Sequence, residues 1–283
     1  RKQGLALWIL PLYQSSNAWN MKAGNFNKDW HGGLGGVALG ADCTLENALR
    51  LGLAFNLGGG HSGGGGDLAN TENNFKFWGL GAYVGWSDGA FGLTADVNYT
   101  RTFNEVRQDL PRAMQMDDLK SDITARAVSA GLRGEYKIST DALDIVPHVG
   151  VRHMNLTTDG HDVTSGSGTV LGGDSLSRNI WTFPIGLSFS RNLETGNGWF
   201  FRPGLDLAVI PADGDIETKS SARFTGTGTK VELESRIMDY VSYTGGIGLE
   251  FGNQNVSFGL NYNLMFSEHT TGHGVFGTFR YEF

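Results

Sequence analysis

Through most of the chain apolar residues recur at every second position. In LRLGLAFNL, Leu49, Leu51, Leu53, Phe55 and Leu57 share one face, and Arg50, Gly52, Ala54 and Asn56 share the other. Near the other end, Phe258, Leu260, Tyr262, Leu264 and Phe266 lie opposite Ser257, Gly259, Asn261 and Asn263. A period of two is that of a β-strand, and no 3.6-residue period is sustained over a helix length. About twelve such runs follow one another, from GLALWILPLYQ to GVFGTFRYEF, separated by turn residues. The first run departs from the alternation. Leu7, Trp8, Ile9 and Leu10 are apolar on both faces, so the pattern alone does not say which face of that run points inward.

The connections alternate between two kinds. LENA, SDGA, STDA, ETGNG and GNQN are tight, whereas SSNAWNMKAGNFNKDWH, GGHSGGGGDLANTENN, NEVRQDLPRAMQMDDLKSD, DGHDVTSGSGTVLGGDSLSRN and GDIETKSSARFTGTGTKVELESR are long and polar. In an antiparallel up-and-down sheet, alternate connections fall at opposite ends, which gives one trimmed rim and one elaborate rim. That asymmetry is typical of barrels that span an outer membrane. The expected fold is therefore all-β: one domain over residues 1–283, a transmembrane antiparallel barrel of about twelve strands, closed by pairing of the first and last runs. A large soluble sandwich would also alternate, but the face opposite the leucines here is small, rich in glycine and dotted with charge. Asp96, Arg133, Glu135, His148, Arg152, Arg202, Asp206, Glu250 and Arg280 lie on it and suit a polar lumen. Trp86, Tyr99, Tyr136, Trp181, Trp199, Tyr240 and Tyr281 cluster toward strand ends, where two interfacial girdles would place them.

Composition agrees with this reading. The 283 residues include 43 Gly and 6 Pro, with 18% charged residues, and the mean hydropathy is −0.22. No apolar run approaches the ~20 residues a membrane helix needs. A net charge of −7 without a basic stripe argues against nucleic-acid binding. The lone Cys43 cannot form an internal disulfide and reads as small filler in a strand. GGGHSGGGGD lacks the Lys and Ser/Thr of a phosphate loop and reads as a flexible loop flank. His148 and Arg152 share a face of VPHVGVR with Asp144, which suggests a lumenal polar network there. An enzyme site at the barrel mouth would have to be assembled from Asp117, Asp118, Asp159, His161 and Asp162, acidic loop residues of the kind usually just solvated. No nucleophile elbow, metal-ligand spacing or cofactor motif appears in the sequence, so no enzymatic activity and no cofactor are expected.

The stretches LDIVPHVGVR, PIGLSFS, RPGLDLAVIPADGD and GLNYNL, together with the aromatic last run and in this order, resemble the C-terminal translocator domain of autotransporters along nearly the whole chain. The resemblance implies a barrel in the Gram-negative outer membrane, surrounded by lipid and monomeric. Its short turns and both barrel ends would be periplasmic and its long loops extracellular. It implies display or secretion of an N-terminal, adhesin-like passenger whose linker helix threads the pore. Residues 1–3 would be the remnant of that linker. It also implies that Phe279, Tyr281 and Phe283 form a signal read by the barrel-assembly machinery. The alternative reading is a stand-alone channel or adhesin barrel that acts through its long loops.

Overall fold

The computed structural model describes residues 4–283 apart from 24–25, 67–68, 113–116 and 167; the expected linker remnant at residues 1–3 lies outside the described residues. The chain forms β1 (Gly4–Ala23), β2 (Phe26–Thr44), β3 (Arg50–Gly66), β4 (Thr71–Ser87), β5 (Phe91–Gln108) and β6 (Leu119–Tyr136). A two-residue β7 (Ile138–Ser139) precedes β8 (Asp144–Thr158), the hairpin β9 (His161–Ser165) and β10 (Gly168–Gly173), and then β11 (Leu176–Thr182) and β12 (Ile185–Ser190). After the short β13 (Leu193–Gly196) come β14 (Trp199–Gly214), the hairpin β15 (Glu217–Phe224) and β16 (Lys230–Arg236), β17 (Val241–Gly252), β18 (Val256–Ser267) and β19 (Thr270–Glu282).

The result is a closed 12-strand antiparallel barrel. β11 and β12 act as one wall strand, interrupted at Phe183 and Pro184, where the Pro184 carbonyl accepts from Gly150 N at 2.9 Å and Phe183 N donates to the Pro211 carbonyl at 2.9 Å. The first and last strands close the wall, with pairing running from Ala6 opposite Glu282 to Ala18 opposite Thr270. Closure satisfies every ladder in the wall, which lipid demands because an unpaired backbone group there costs several kcal/mol.

The outer face carries the large apolar side chains that a soluble protein would bury. Leu53 (68% exposed), Ile247 (61%) and Val149 (58%) all point away from the barrel, whereas the buried residues include only a few hydrophobics, such as Ala6 and Ile180. The lumen is therefore the polar side and the exterior the apolar side, the inverse of a soluble barrel. On β1, Leu5, Leu7, Ile9 and Tyr13 are exposed outward while Ala6 is 2% exposed. The inner face of that strand is thus Ala6, Trp8, Leu10 and Leu12, the assignment that the alternation left open.

Several stretches expected as loops are strands. Residues 15–23 continue β1 and pair with β2, with a bulge between Ala18 and Met21 where Asn20 takes φ 52° and its backbone N–H bonds Asp29 Oδ1. GGHSGGGG, expected as a loop flank, belongs to β3 and pairs residue for residue with β2. Of the three remaining long connections, that between β5 and β6 is shortened by the extension of those strands to Gln108 and from Leu119, and the other two fold into the hairpins β9–β10 and β15–β16. These pair with each other, and on their far sides with β6 and β1. Beyond the rim of the shorter strands, β1 to β6, β9, β10, β15 and β16 therefore form a second closed ring, a collar that continues the wall. The connection from β18 to β19 at this end is tight, although the strands on either side of it do not reach the collar.

Candidate functional site: the lumen and its closing seam

Strand alternation places all nine charged candidates on the face opposite the exposed apolar side chains, and eight of them meet in four pairs, within a strand, between neighbouring strands or across an intervening one. Arg152 makes a two-point contact with Asp96, Nη1 to Oδ2 at 2.9 Å and Nη2 to Oδ1 at 2.7 Å, and also donates to Ser129 Oγ. His148, 5% exposed, bonds Asp206 Oδ1 through Nε2 at 3.0 Å, and Ser188 Oγ donates to the same oxygen. Arg202 reaches Glu250 at 3.3 Å, and Arg133 reaches Glu135 at 3.5 Å. The expected grouping of His148, Arg152 and Asp144 does not form. Each turns to another partner, Asp144 to Lys137 at 3.2 Å, because residues four apart on a strand stand roughly 13 Å from each other.

The tightest cluster gathers around Asp42, a residue the sequence did not single out. Arg280 of β19 donates Nη1 to Oδ2 at 2.8 Å and Nη2 to Oδ1 at 2.6 Å; Tyr83 of β4 donates its hydroxyl to Oδ2 at 2.6 Å; Arg50 of β3 stands 3.6 Å away. Trp8 of β1 donates Nε1 to the Tyr83 hydroxyl at 3.0 Å, and Arg280 Nε bonds Glu282. One network thus ties the first strand, the last strand and the three that follow the first. Trp8 reaches a strand three places away because the concave inner face shortens that distance and because glycines clear its path. A Cβ on Gly40 would sit 2.1 Å from Trp8 Cζ2, and one on Gly52 would sit 2.1 Å from Tyr83 Cζ. The available signal was parity: Asp42 falls in step with Gly40 and Gly36, opposite Val37, Leu39 and Ala41.

The aromatic residues of the last strand lie on the outer face. Phe279 packs against Phe258 at 5.1 Å between ring centroids, Tyr281 stands edge-on to Phe283 at 4.8 Å, and Phe283 N donates to the Leu5 carbonyl at 3.0 Å. The acidic residues weighed for an enzyme site go to separate tasks. Asp159 bonds Arg126 at 2.8 Å, Asp118 caps the N–H of Leu110, the Asp117 carbonyl accepts from Ser165, and the Asp162 carbonyl accepts from Ser121; His161 Nδ1 lies 3.4 Å from the Asp159 carbonyl. At the same end Asp239, Glu268 and His269 lie close enough to hold a cation. The arrangement does not fit one. Asp239 already accepts from Ser267 Oγ, from the His269 backbone and from the His269 ring, and Arg236 stands 3.9 Å away.

The family model described as "Autotransporter beta-domain" matches residues 7–263. This chain belongs to that family. Autotransporter β-domains are outer-membrane translocator barrels and are not a class of enzyme. Three solved structures show the same fold. The translocator domain of the autotransporter NalP from Neisseria meningitidis superposes with a TM-score of 0.74 at 14% identity, covering 100% of this chain and 90% of that one. The β-domain of the Bordetella autotransporter BrkA gives 0.69 at 13% identity, covering 99% of this chain and 100% of that one. The transport unit of the autotransporter AIDA-I from Escherichia coli gives 0.69 at 17% identity, covering 100% and 91%. No curated protein sequence matches. With so little identity across such full coverage, the β-domain fold rests on period, closure and the inner and outer faces rather than on particular side chains.

Proposed function

We propose that this autotransporter β-domain carries a passenger attached ahead of Gly4 across the outer membrane, by way of its lumen, to the cell surface, and that the passenger is adhesin-like. The observation that carries the reading is that Gly4 and Phe283 meet at the rim of short turns while the collar stands at the other. With the short turns in the periplasm, any segment ahead of Gly4 that ends outside has to pass through the barrel. The lumen suits a transiting polypeptide and a resident linker helix. Arg133, Arg152, Arg202 and Arg280 are each paired with a carboxylate, so the wall there offers polar contacts without a field of one sign. The Asp206 carboxylate, half exposed and backed by His148 and Ser188, borders a cavity lined by Leu10, Leu12, Gln14, Asn263 and Phe276. Asp206 is therefore the best-placed group to meet the chain in transit. Arg280, spent on Asp42, is not. The barrel works as a monomer embedded in lipid, delivered by the barrel-assembly machinery, with no nucleic-acid partner and no cofactor.

The collar favours a second reading, a barrel that acts through its outer hairpins alone. One experiment separates the two: an epitope tag fused ahead of Gly4, behind a signal peptide, scored for protease accessibility on intact cells. Surface exposure of the tag is expected. A tag that stays periplasmic beneath a correctly inserted barrel overturns translocation and leaves the second reading.

A further inference from the structure

The outer face of β4, β5 and β6 changes character abruptly. Trp78 and Tyr99 pack at 5.6 Å between centroids, and Trp86 and Phe91 at 6.2 Å nearer the short turns. Between these pairs the outward positions are apolar: Leu80, Ala82 and Val84 on β4, and Leu93, Ala95 and Val97 on β5. Such a band between two aromatic levels marks the hydrocarbon slab, so Trp78 and Tyr99 sit at the headgroup boundary on the collar side. The next outward residue of β5 is Arg101. Directly opposite it on β6 is Arg126, and one diagonal step away on β4 is Lys76.

Like charges placed directly across a ladder are destabilising, and this group is poorly neutralised from within the protein. Arg126 bonds Asp159 at 2.8 Å, but among the described residues neither Arg101 nor Lys76 has an ion pair. The Arg101 guanidinium lies over the Phe103 ring at 5.1 Å, and its Nε is buried without a hydrogen-bond partner. Three cations share one carboxylate at the depth where lipid phosphates lie. Guanidinium groups bind phosphate through two parallel hydrogen bonds, and the ring beneath holds Arg101 in place for that. We propose that Lys76, Arg101 and Arg126 form a binding site for the phosphorylated headgroup of a lipid in the leaflet on the collar side. Beyond the intervening row of Phe103 opposite Thr124 the wall turns acidic, Glu105 opposite Asp122, so the phosphate is confined to the level of the arginines.

The proposal rests on the membrane placement of the barrel and not on passenger transport, so it is tested without a passenger. The barrel is refolded into vesicles of zwitterionic lipid doped either with a phosphorylated lipid A or with phosphatidylglycerol. It is then extracted in mild detergent and weighed by native mass spectrometry to count retained lipid. Retention of at least one of the two dopants is expected, and the two arms show which headgroup supplies the phosphate. The double variant Arg101→Gln with Arg126→Gln should retain roughly tenfold less of it. Arg107→Gln with Lys120→Gln, which removes the same charge from the opposed pair beyond the acidic row, should retain as much as the parent. Heat-modifiable gel mobility verifies that each variant is folded. Equal losses in the two double variants, or retention of neither dopant by the parent, overturns the site.

Discussion

At Asp42, side chains from β3, β4 and β19 converge on a carboxylate that is 3% exposed. Every one of its partners is itself held: Arg280 by Glu282, and Tyr83 by Trp8. Asp42→Ala leaves Arg280 with the more exposed Glu282 as its remaining carboxylate and takes the acceptor from the Tyr83 hydroxyl, and breaking a buried pair in this way costs up to about 3–5 kcal/mol. The Arg202–Glu250 pair lies in the same lumen, but its side chains are 42% and 39% exposed, and pairs as open as that contribute about 0–1 kcal/mol. Asp42→Ala should therefore lower the urea midpoint of the refolded barrel far more than Glu250→Ala does. Matching midpoints would show that water reaches Asp42 as freely as it reaches Glu250, and that the seam is held by its backbone ladder alone.

The turn that joins β18 to β19 depends on one loop residue, Asp239, which sits outside the membrane wall between β16 and β17. Burial alone would raise its pKa. The hydrogen bonds from the Ser267 hydroxyl and from the ring and backbone of His269 outweigh burial, so the carboxyl titrates below its ordinary range. A carboxylate whose folded pKa is depressed contributes stability that is fully present above its unfolded pKa of about 3.9, and that is lost as pH falls through the folded value. Amide exchange at His269 and its neighbours should accordingly stay slow down to about pH 4, then quicken relative to intrinsic rates on further acidification. In Asp239→Asn the protection should be weak from the outset and nearly flat with pH; a parent turn equally protected at pH 3 would remove Asp239 from this role. Elements of this kind were the least legible in the sequence. The wall could be read because lipid enforces one apolar face per strand, as at Leu49 to Leu57. The collar could not, because beyond the headgroups nothing enforces alternation, and a glycine run such as residues 63–66 carries no facial signal although it pairs in register with β2. Asp42 was missed for a different reason: a lumenal charge gains its meaning from strands far off in sequence, here from Arg280.

For the whole molecule, the decisive contact joins its two ends, since a barrel has no intermediate stage with all edges paired and lipid does not tolerate an open one. Until β19 meets β1, the last strand presents an aromatic outer face, Phe279, Tyr281 and Phe283, beside an inner face led by Arg280. We take that outer face to be what the barrel-assembly machinery reads. Phe283 separates recognition from stability. It is 60% exposed at the rim of the wall, and a charged substitution near the interface of such a barrel costs only about 0–1 kcal/mol. Phe283→Asp should thus refold into vesicles in vitro almost as well as the parent, yet accumulate several-fold less in the outer membrane of cells. The comparison belongs at Gly226 in the β15–β16 turn, where an added side chain meets nothing within 4 Å. Gly226→Asp should be normal in both assays. If Phe283→Asp inserts in cells as well as Gly226→Asp does, Phe283 is merely apolar surface. If it fails in vesicles as badly as in cells, its role is in closing the barrel and not in being recognised.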